Sequence, residues 1–424
     1  MLSARQNELI TRVGPATPLN RLLKRYWQPA LLSSEVAEPG CDPIRFSFCG
    51  EKYIAFRDSA GKVGVFAEAC CHRGSSLALA RVEEGGIRCI FHGWKFATDG
   101  TLLETPNVAD ESFKQRFRGT AFPTHEAADL VWVYFGPREE QPPFREYEYM
   151  SVPSSHRLIM RMKLDCNWMQ VLEGGLDSTH VGILHAEFAK SFEARDASLP
   201  EGLQAQAQVY STDFAPTLEV LDTDFGFHYA ALRDAGDGAN IHARITAYVF
   251  PNTTMIPPNM FVIHYVPYDD THTAQIVTYW DKHRPIDRER TLRVLGLDKP
   301  GVWIDDHIEQ CPENNWMQDR AKMRAGSWSG LDGLGQEDSA VNLSQGPILD
   351  RTKETLVPAD VACIHVRKIL LSELERLPDD TQPLALAPVS SATIQALEVT
   401  IPRHSDWTQS VPGNALAATA GVAK

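Results

Sequence analysis

The stretch Cys70-Cys-His-Arg-Gly-Ser-Ser-Leu77, answered downstream by Arg88-Cys-Ile-Phe-His-Gly-Trp-Lys-Phe96, offers two short loops that each carry one thiol and one imidazole: Cys70 with His72, and Cys89 with His92. Ligands of two kinds at this spacing can hold metal. A zinc finger normally pairs cysteine with cysteine and histidine with histidine, whereas each loop here is mixed. The mixed order suits a two-iron, two-sulfide cluster in which one iron takes both cysteines and the other both histidines. Such a cluster sits at a higher potential than an all-cysteine one. On spacing alone a zinc ribbon stays open as the alternative.

Outward from these loops the signals are short and β-like: Arg45-Phe-Ser-Phe-Cys49, a Gly50-Glu51 turn, Tyr53-Ile-Ala-Phe-Arg57, Val63-Gly-Val-Phe66, Ile87-Arg-Cys-Ile-Phe91 and Asp129-Leu-Val-Trp-Val-Tyr-Phe135. They predict an antiparallel β domain of about 100 residues. Gly136-Pro-Arg-Glu-Glu-Gln-Pro-Pro-Phe-Arg-Glu-Tyr-Glu-Tyr149 is rich in proline and charge, as domain-crossing loops are. The boundary is expected near 150–155, giving an N-terminal domain over 1–153 and a second over 154–424. The second opens with a helical stretch from Asn167 to Phe188 and continues through strand-like runs at 216–221, 226–232, 241–250, 260–267 and 273–280. Helices are expected for Asn314 to Met323 and Ala359 to Leu374, separated by the glycine-rich loop Gly326-Ser-Trp-Ser-Gly-Leu-Asp-Gly-Leu-Gly335. The fold class is α+β: an all-β domain followed by an antiparallel sheet covered by helices. The small-residue tail from Asn414 lacks the apolar content to pack.

With 41 Lys+Arg against 55 Asp+Glu the net charge is −14, which argues against nucleic acid or an anionic membrane as the main partner. At 424 residues, 43% of them hydrophobic, the chain can bury cores that need no disulfide staples. Neither a secretory signal nor a run of about 18 apolar residues occurs, so the expectation is a soluble cytoplasmic protein. Of the eight cysteines, 41, 49, 71, 166, 311 and 363 fall outside the two loops and read as core residues rather than ligands.

A second constellation lies in Asn167-Trp-Met-Gln-Val-Leu-Glu-Gly-Gly-Leu-Asp-Ser-Thr-His-Val-Gly-Ile-Leu-His185. Asp177 and His180 share a helix face. His180 and His185 stand about 140° out of phase on a regular helix, so they can converge on one metal only through a break, which Gly174, Gly175 and Gly182 permit. Two histidines and one carboxylate on one face of ferrous iron leave open positions for oxygen and substrate. The plain alternative is a helix whose histidines are satisfied in a core or at the surface.

Together the two constellations resemble the large subunits of the Rieske non-heme iron aromatic ring-hydroxylating oxygenases. Further stretches are similar to the phthalate dioxygenase branch: Asn7-Glu-Leu-Ile-Thr-Arg-Val-Gly-Pro15, Leu22-Leu-Lys-Arg-Tyr-Trp-Gln-Pro29, Asp224-Phe-Gly-Phe-His-Tyr-Ala-Ala-Leu-Arg233, Asn315-Trp-Met-Gln-Asp-Arg320 and Gly346-Pro-Ile-Leu-Asp-Arg351. The resemblance implies a Rieske [2Fe-2S] cluster on Cys70, His72, Cys89 and His92, and a mononuclear Fe(II) on His180, His185 and a third ligand. Asp177 would be the carboxylate that bridges the cluster of one subunit to the iron of the next. The third ligand is drawn from Glu309-Gln-Cys-Pro-Glu-Asn-Asn-Trp-Met-Gln-Asp-Arg320. Relatives carry Asp near the opening of that helix where this chain has Glu313 and Asn314, and Asp319 is the expected ligand. Its alternative role is a structural carboxylate paired with Arg320 or Lys322.

The resemblance further implies a homotrimer or hexamer and a separate reductase with FMN and a [2Fe-2S] centre, consistent with the lack of a convincing dinucleotide motif in this chain. The substrate class is an aromatic, carboxylated compound, hydroxylated with O2 to a cis-dihydrodiol, or alternatively O-demethylated or hydroxylated at a methyl group. A carboxylate in an apolar pocket needs a cationic anchor. Arg244 is the candidate, with Arg195 and Arg233 behind it; the alternative is that Arg244 caps a sheet edge or pairs with Asp234 or Asp237. A rival of another class is a Rieske electron carrier with a degenerate second domain.

Overall fold

The computed structural model describes residues 1–187, 209–210, 212–257, 261–377, 383–386 and 389–412. The chain divides into two compact units, Arg12–Phe144 and Met1–Thr11 with Arg145–Lys424. The division falls earlier than 153, and the first eleven residues belong with the second unit rather than the first. Hydrogen bonding explains the placement. Asn167 Nδ2 donates to the Thr11 carbonyl (2.8 Å), Trp168 Nε1 to Ile10 (3.2 Å), and Asn7 joins Leu349 and Arg351. Among the described residues no helix is long and apolar enough to cross a membrane.

The smaller unit holds three antiparallel sheets. β2 (Ile44–Phe48), β3 (Glu51–Arg57), β4 (Val63–Ala67) and β9 (Ala121–Phe122) form one; β5 (Arg81–Glu83), β6 (Gly86–Arg88), β7 (Lys95–Phe96) and β8 (Leu102–Glu104) form another. The third sets β11 (Leu130–Tyr134) between β1 (Trp27–Leu32) and β10 (Thr124–Ala127). β1 is masked in the sequence by Pro29, which cannot donate to a ladder; the structure accommodates it at a register shift between Pro29 and Leu31. Ile54, Phe56, Phe66, Leu77, Ile87, Trp94 and Phe96 make one buried cluster, and Cys70 and Cys89 are part of it.

The larger unit is built on a sheet of order β13-β14-β15-β16-β17-β18-β12-β20-β19, in which β20 is His307–Ile308 and β19 Trp303–Ile304, with β21 added to β15. β13 (Thr217–Thr223), β14 (Gly226–Asp234), β15 (Asn240–Val249), β17 (Phe261–Pro267) and β18 (Thr273–Trp280) occupy the strand-like runs of the sequence, while β12 (Arg157–Leu164) adds a strand beside β18. The long β15 is shared: Val249 to Ala247 pair with β16 (Thr253–Ile256), and Asn240 to Ile245 with β21 (Leu397–Pro402). Directly opposed residues share a face. Tyr229, Arg233, Arg244, Thr246 and Glu398 therefore stand on one side. Ala230, Ala243 and Ile245 on the other pack with Trp407 and Val411.

The helix expected from Asn167 to Phe188 is short. It runs Trp168–Leu176, starts where Asn167 accepts from the Met169 N–H (3.1 Å), and buries all but its two glycines. Gly175 faces Tyr265 so closely that a Cβ would lie 1.8 Å from its hydroxyl oxygen. Glu173 on this helix meets two buried guanidinium groups, Arg351 at 2.8 Å and Arg367 at 2.6 Å, and Arg367 also pairs with Glu354. Burial pushes the Glu173 carboxyl up, but these arginines outweigh it and hold the group ionised.

Two expectations for the C-terminal half are corrected. Asn314 to Met323 is not one helix: a 3-10 segment, Pro312–Met317, contains left-handed Asn315 and Trp316, and a separate helix covers Arg320–Arg324. The glycine-rich loop ends early, because helix Leu334–Ser344 begins directly after Gly333.

Candidate functional site

In the smaller unit both Cys/His loops have the same backbone design. Cys70 N–H donates to Ser75 and receives Gly74 N–H on its carbonyl (2.9 and 2.8 Å); Cys89 does the same with Trp94 and Gly93 (2.9 and 3.0 Å). Gly74 and Gly93, with φ of 71° and 73°, supply the left-handed turn each loop needs. Both thiols are buried, each 3% exposed, while His72 and His92 are half-buried with ring centroids 4.5 Å apart. His72 also stacks on Trp94. Two buried thiols beside two half-buried imidazoles are a donor set that would hold a [2Fe-2S] cluster, with a cysteine and a histidine from each loop. Cys71 is exposed and lies outside this set.

In the larger unit the helix Trp168–Leu176 stops at Asp177, whose backbone is extended (ψ 120°). Asp177 Oδ1 accepts from the Thr179 N–H (2.6 Å) and hydroxyl (2.7 Å), so the carboxylate itself enforces the break. A 3-10 turn over His180–Gly182 follows, pressed so near Tyr210 that a Cβ on Gly182 would lie 2.3 Å from its carbonyl oxygen. The tight turn overcomes the phase mismatch of a regular helix and brings the His180 and His185 rings to 5.0 Å.

Among the described residues, His180, His185 and Asp338 bring donor atoms within 4.8 Å of one another. Asp338 Oδ1 lies 3.1 Å from His185 Nε2 and 3.6 Å from His180 Nε2. On the far side of each ring stands another carboxylate: Asp177 Oδ2 at 3.4 Å from His180 Nδ1, and Glu337 Oε2 at 2.7 Å from His185 Nδ1. The two imidazoles and Asp338 form a donor set for a divalent cation, with the Nε2 atoms turned inward, while Asp177 and Glu337 stand behind the rings at Nδ1. Burial pushes the His185 imidazolium down, yet Asp338 and Glu337 outweigh it and hold the pKa up at about 9. Burial likewise raises Asp177, but His180 and the Thr179 hydrogen bonds bring it to about 2.

Asp319 does not join this group. It caps helix Arg320–Arg324, its Oδ1 accepting from the Ala321 and Lys322 N–H groups (2.8 and 3.1 Å). Asn314 is committed to its own loop, accepting from the Cys311 N–H and donating to the Glu309 carbonyl, and Glu313 is exposed in the same segment. Sequence reasoning missed Asp338 and Glu337 because the helix that carries them is buried around most of its circumference. Gly335, Gln336, Glu337, Ser339, Ala340, Asn342 and Leu343 are all covered, so no apolar stripe marks it. The signal available was an adjacent Glu-Asp pair following a run of glycines.

Arg244 is buried on the sheet face beneath this turn. Its Nη1 donates to Ser178 Oγ (2.6 Å) and Thr246 Oγ1 (3.3 Å), and Glu398 opposes it across β15 and β21. Neither sequence alternative is present: Asp234 pairs with Arg403, and Asp237 accepts from Ala239 and Asn240. Arg233 donates Nη2 to the Ser178 carbonyl (3.0 Å) and lies over the Tyr210 ring, and its buried Nη1 has no hydrogen-bond partner among the described residues. Arg195 lies outside the described residues.

Comparison with known proteins gives the architecture its class. Residues 26–118 match the Rieske [2Fe-2S] domain model, and residues 133–420 match the model described as LigXa C-terminal domain like. The chain is 35% identical over 383 residues to the phthalate 4,5-dioxygenase oxygenase subunit of Pseudomonas putida, covering 88% of this chain and 86% of that protein. It is 34% identical over 395 residues to the 3-chlorobenzoate-3,4-dioxygenase oxygenase subunit of Comamonas testosteroni, covering 88% and 89%. The terminal oxygenase of carbazole 1,9a-dioxygenase from Nocardioides aromaticivorans IC177 shares the fold, with a TM-score of 0.55 at 17% identity over 87% of this chain and 96% of that one. The chain belongs to the Rieske non-heme iron oxygenases, enzymes that combine a [2Fe-2S] cluster with a mononuclear iron. Within them it is an aromatic ring-hydroxylating oxygenase large subunit of the phthalate dioxygenase-like branch. The readings as a zinc ribbon or a bare electron carrier are thereby set aside.

Proposed function

We propose that this oxygenase hydroxylates an aromatic, carboxylated compound at an iron held by His180, His185 and Asp338, with the cluster held by Cys70, His72, Cys89 and His92. The observation that carries the reading is the convergence of both Nε2 atoms and Asp338 Oδ1 on one point. When bound, the iron would supply reductive activation of O2 and the cluster the electrons for it, with a separate FMN and [2Fe-2S] reductase as their source. Asp177 holds His180 through Nδ1 and, in a trimer or hexamer, links that histidine to a cluster histidine of the neighbouring subunit. Arg244 anchors the substrate carboxylate. Its support is position: it reaches Ser178, two residues before His180, and Arg233, whose Nη1 has no partner among the described residues, adds a second guanidinium at the same serine. A buried guanidinium repays the desolvation of an incoming carboxylate by charge-assisted hydrogen bonds.

The test is product analysis with 18O2 across phthalates, benzoates and methoxybenzoates in the presence of a compatible reductase. Ring cis-dihydrodiols carrying both labelled atoms from a carboxylated substrate are expected. Turnover only of uncharged rings overturns the carboxylate assignment. Release of formaldehyde from methoxybenzoates without ring diols replaces dihydroxylation with O-demethylation.

A further inference from the structure

His180 and His185 are supported unequally. The Asp177 carboxylate beside His180 is 31% exposed and 3.4 Å away. Glu337 beside His185 is 4% exposed, 2.7 Å away, and fixed in turn by Ser329, whose hydroxyl donates to Glu337 Oε1 at 2.6 Å. Glu337 is not placed as a metal donor: its Oε2 faces Nδ1, whereas Asp338 Oδ1 faces Nε2 of the same ring. A carboxylate accepting from Nδ1 fixes a proton on that nitrogen and keeps Nε2, which faces Asp338, as the nitrogen a metal would take. Its neighbour in sequence, Asp338, occupies the other side, so one helix grips both ring nitrogens of His185.

We infer that Glu337, clamped by Ser329, is a positioning residue that sets the tautomer, orientation and basicity of His185 for the mononuclear iron. This rests on the reading of His180, His185 and Asp338 as ligands. The test uses the full chain with its cluster intact and its mononuclear iron removed by a chelator. Fe(II) affinity is measured by anaerobic equilibrium dialysis, and the nitric oxide adduct of the reloaded site by EPR. E337Q should weaken Fe(II) binding about 10- to 100-fold and change the rhombicity of the adduct, while the reduced-cluster EPR signal and Tm stay as in the parent. S329A, which leaves the carboxylate but frees it, should weaken binding about fivefold. Unchanged affinity and adduct spectrum in both variants, with D338A losing the site, overturns the role of Glu337 and leaves the ligand reading standing. Unchanged affinity in D338A overturns the ligand reading and the inference with it.

Discussion

The two metal centres are made in opposite ways. The Cys/His loops are local: each is closed by hydrogen bonds within a few residues, both glycines sit at left-handed positions, and their register is held by short neighbouring strands. The His180/His185/Asp338 group is assembled at long range, with His185 and its partner Glu337 152 residues apart in sequence. A local site is written in spacing. A long-range site depends on where a buried helix is laid down, and spacing says nothing of that.

The largest expected effects test this contrast directly. C89A should lose the cluster and its visible absorbance while leaving Fe(II) binding in the larger unit intact; D338A should do the reverse, losing mononuclear iron and turnover with the cluster EPR unchanged. Loss of both metals in either variant would show that the centres are not built independently. D177A should abolish turnover coupled to the reductase with both metals retained, measured by iron analysis and O2 uptake, and normal turnover would remove Asp177 from its bridging role.

Next in size is the support beneath the site. E173Q leaves Arg351 and Arg367 buried without their carboxylate, and removing one partner of a buried ion pair costs about 3–5 kcal/mol, so urea unfolding should show a loss of that order. R244Q should raise KM for a carboxylated substrate about 10- to 100-fold, the worth of a charge-assisted hydrogen bond, and leave an uncharged analogue unaffected. Equal effects on both would make Arg244 a structural residue of the Ser178 turn. The smallest effect is expected of D319A, which removes a helix cap: full iron content, normal turnover and a slightly lower Tm. Loss of iron there would restore Asp319 as a ligand.

Alternation and turn residues made most of the sheets legible, because strand side chains report burial every second residue. β1 escaped because Pro29 interrupts it; β12 does carry the alternation, with Leu158, Met160, Met162 and Leu164 buried, directly after the linker. The helix of the second constellation was legible up to Asp177, and the need for a break before His185 followed from helical phase. The third carboxylate was not legible. Asp319 looked right because it lay in the expected stretch, but its Oδ1 is committed to backbone N–H groups at a helix start, while Asp338 is the half-exposed residue of a helix otherwise covered around most of its circumference, with no apolar stripe to announce it.

The residues in order were therefore enough to define the cluster loops, the fold class and two imidazoles near a carboxylate, all features encoded within a turn or two of chain. The place of Asp338 beside the two imidazoles, the contact of Glu337 with His185 and the serine shared by Arg233 and Arg244 depend on packing between segments far apart in sequence. The reason is physical: a metal site needs donors converging within a few ångströms, and for residues from separate elements that convergence is set by how the elements pack, not by the spacing along either one.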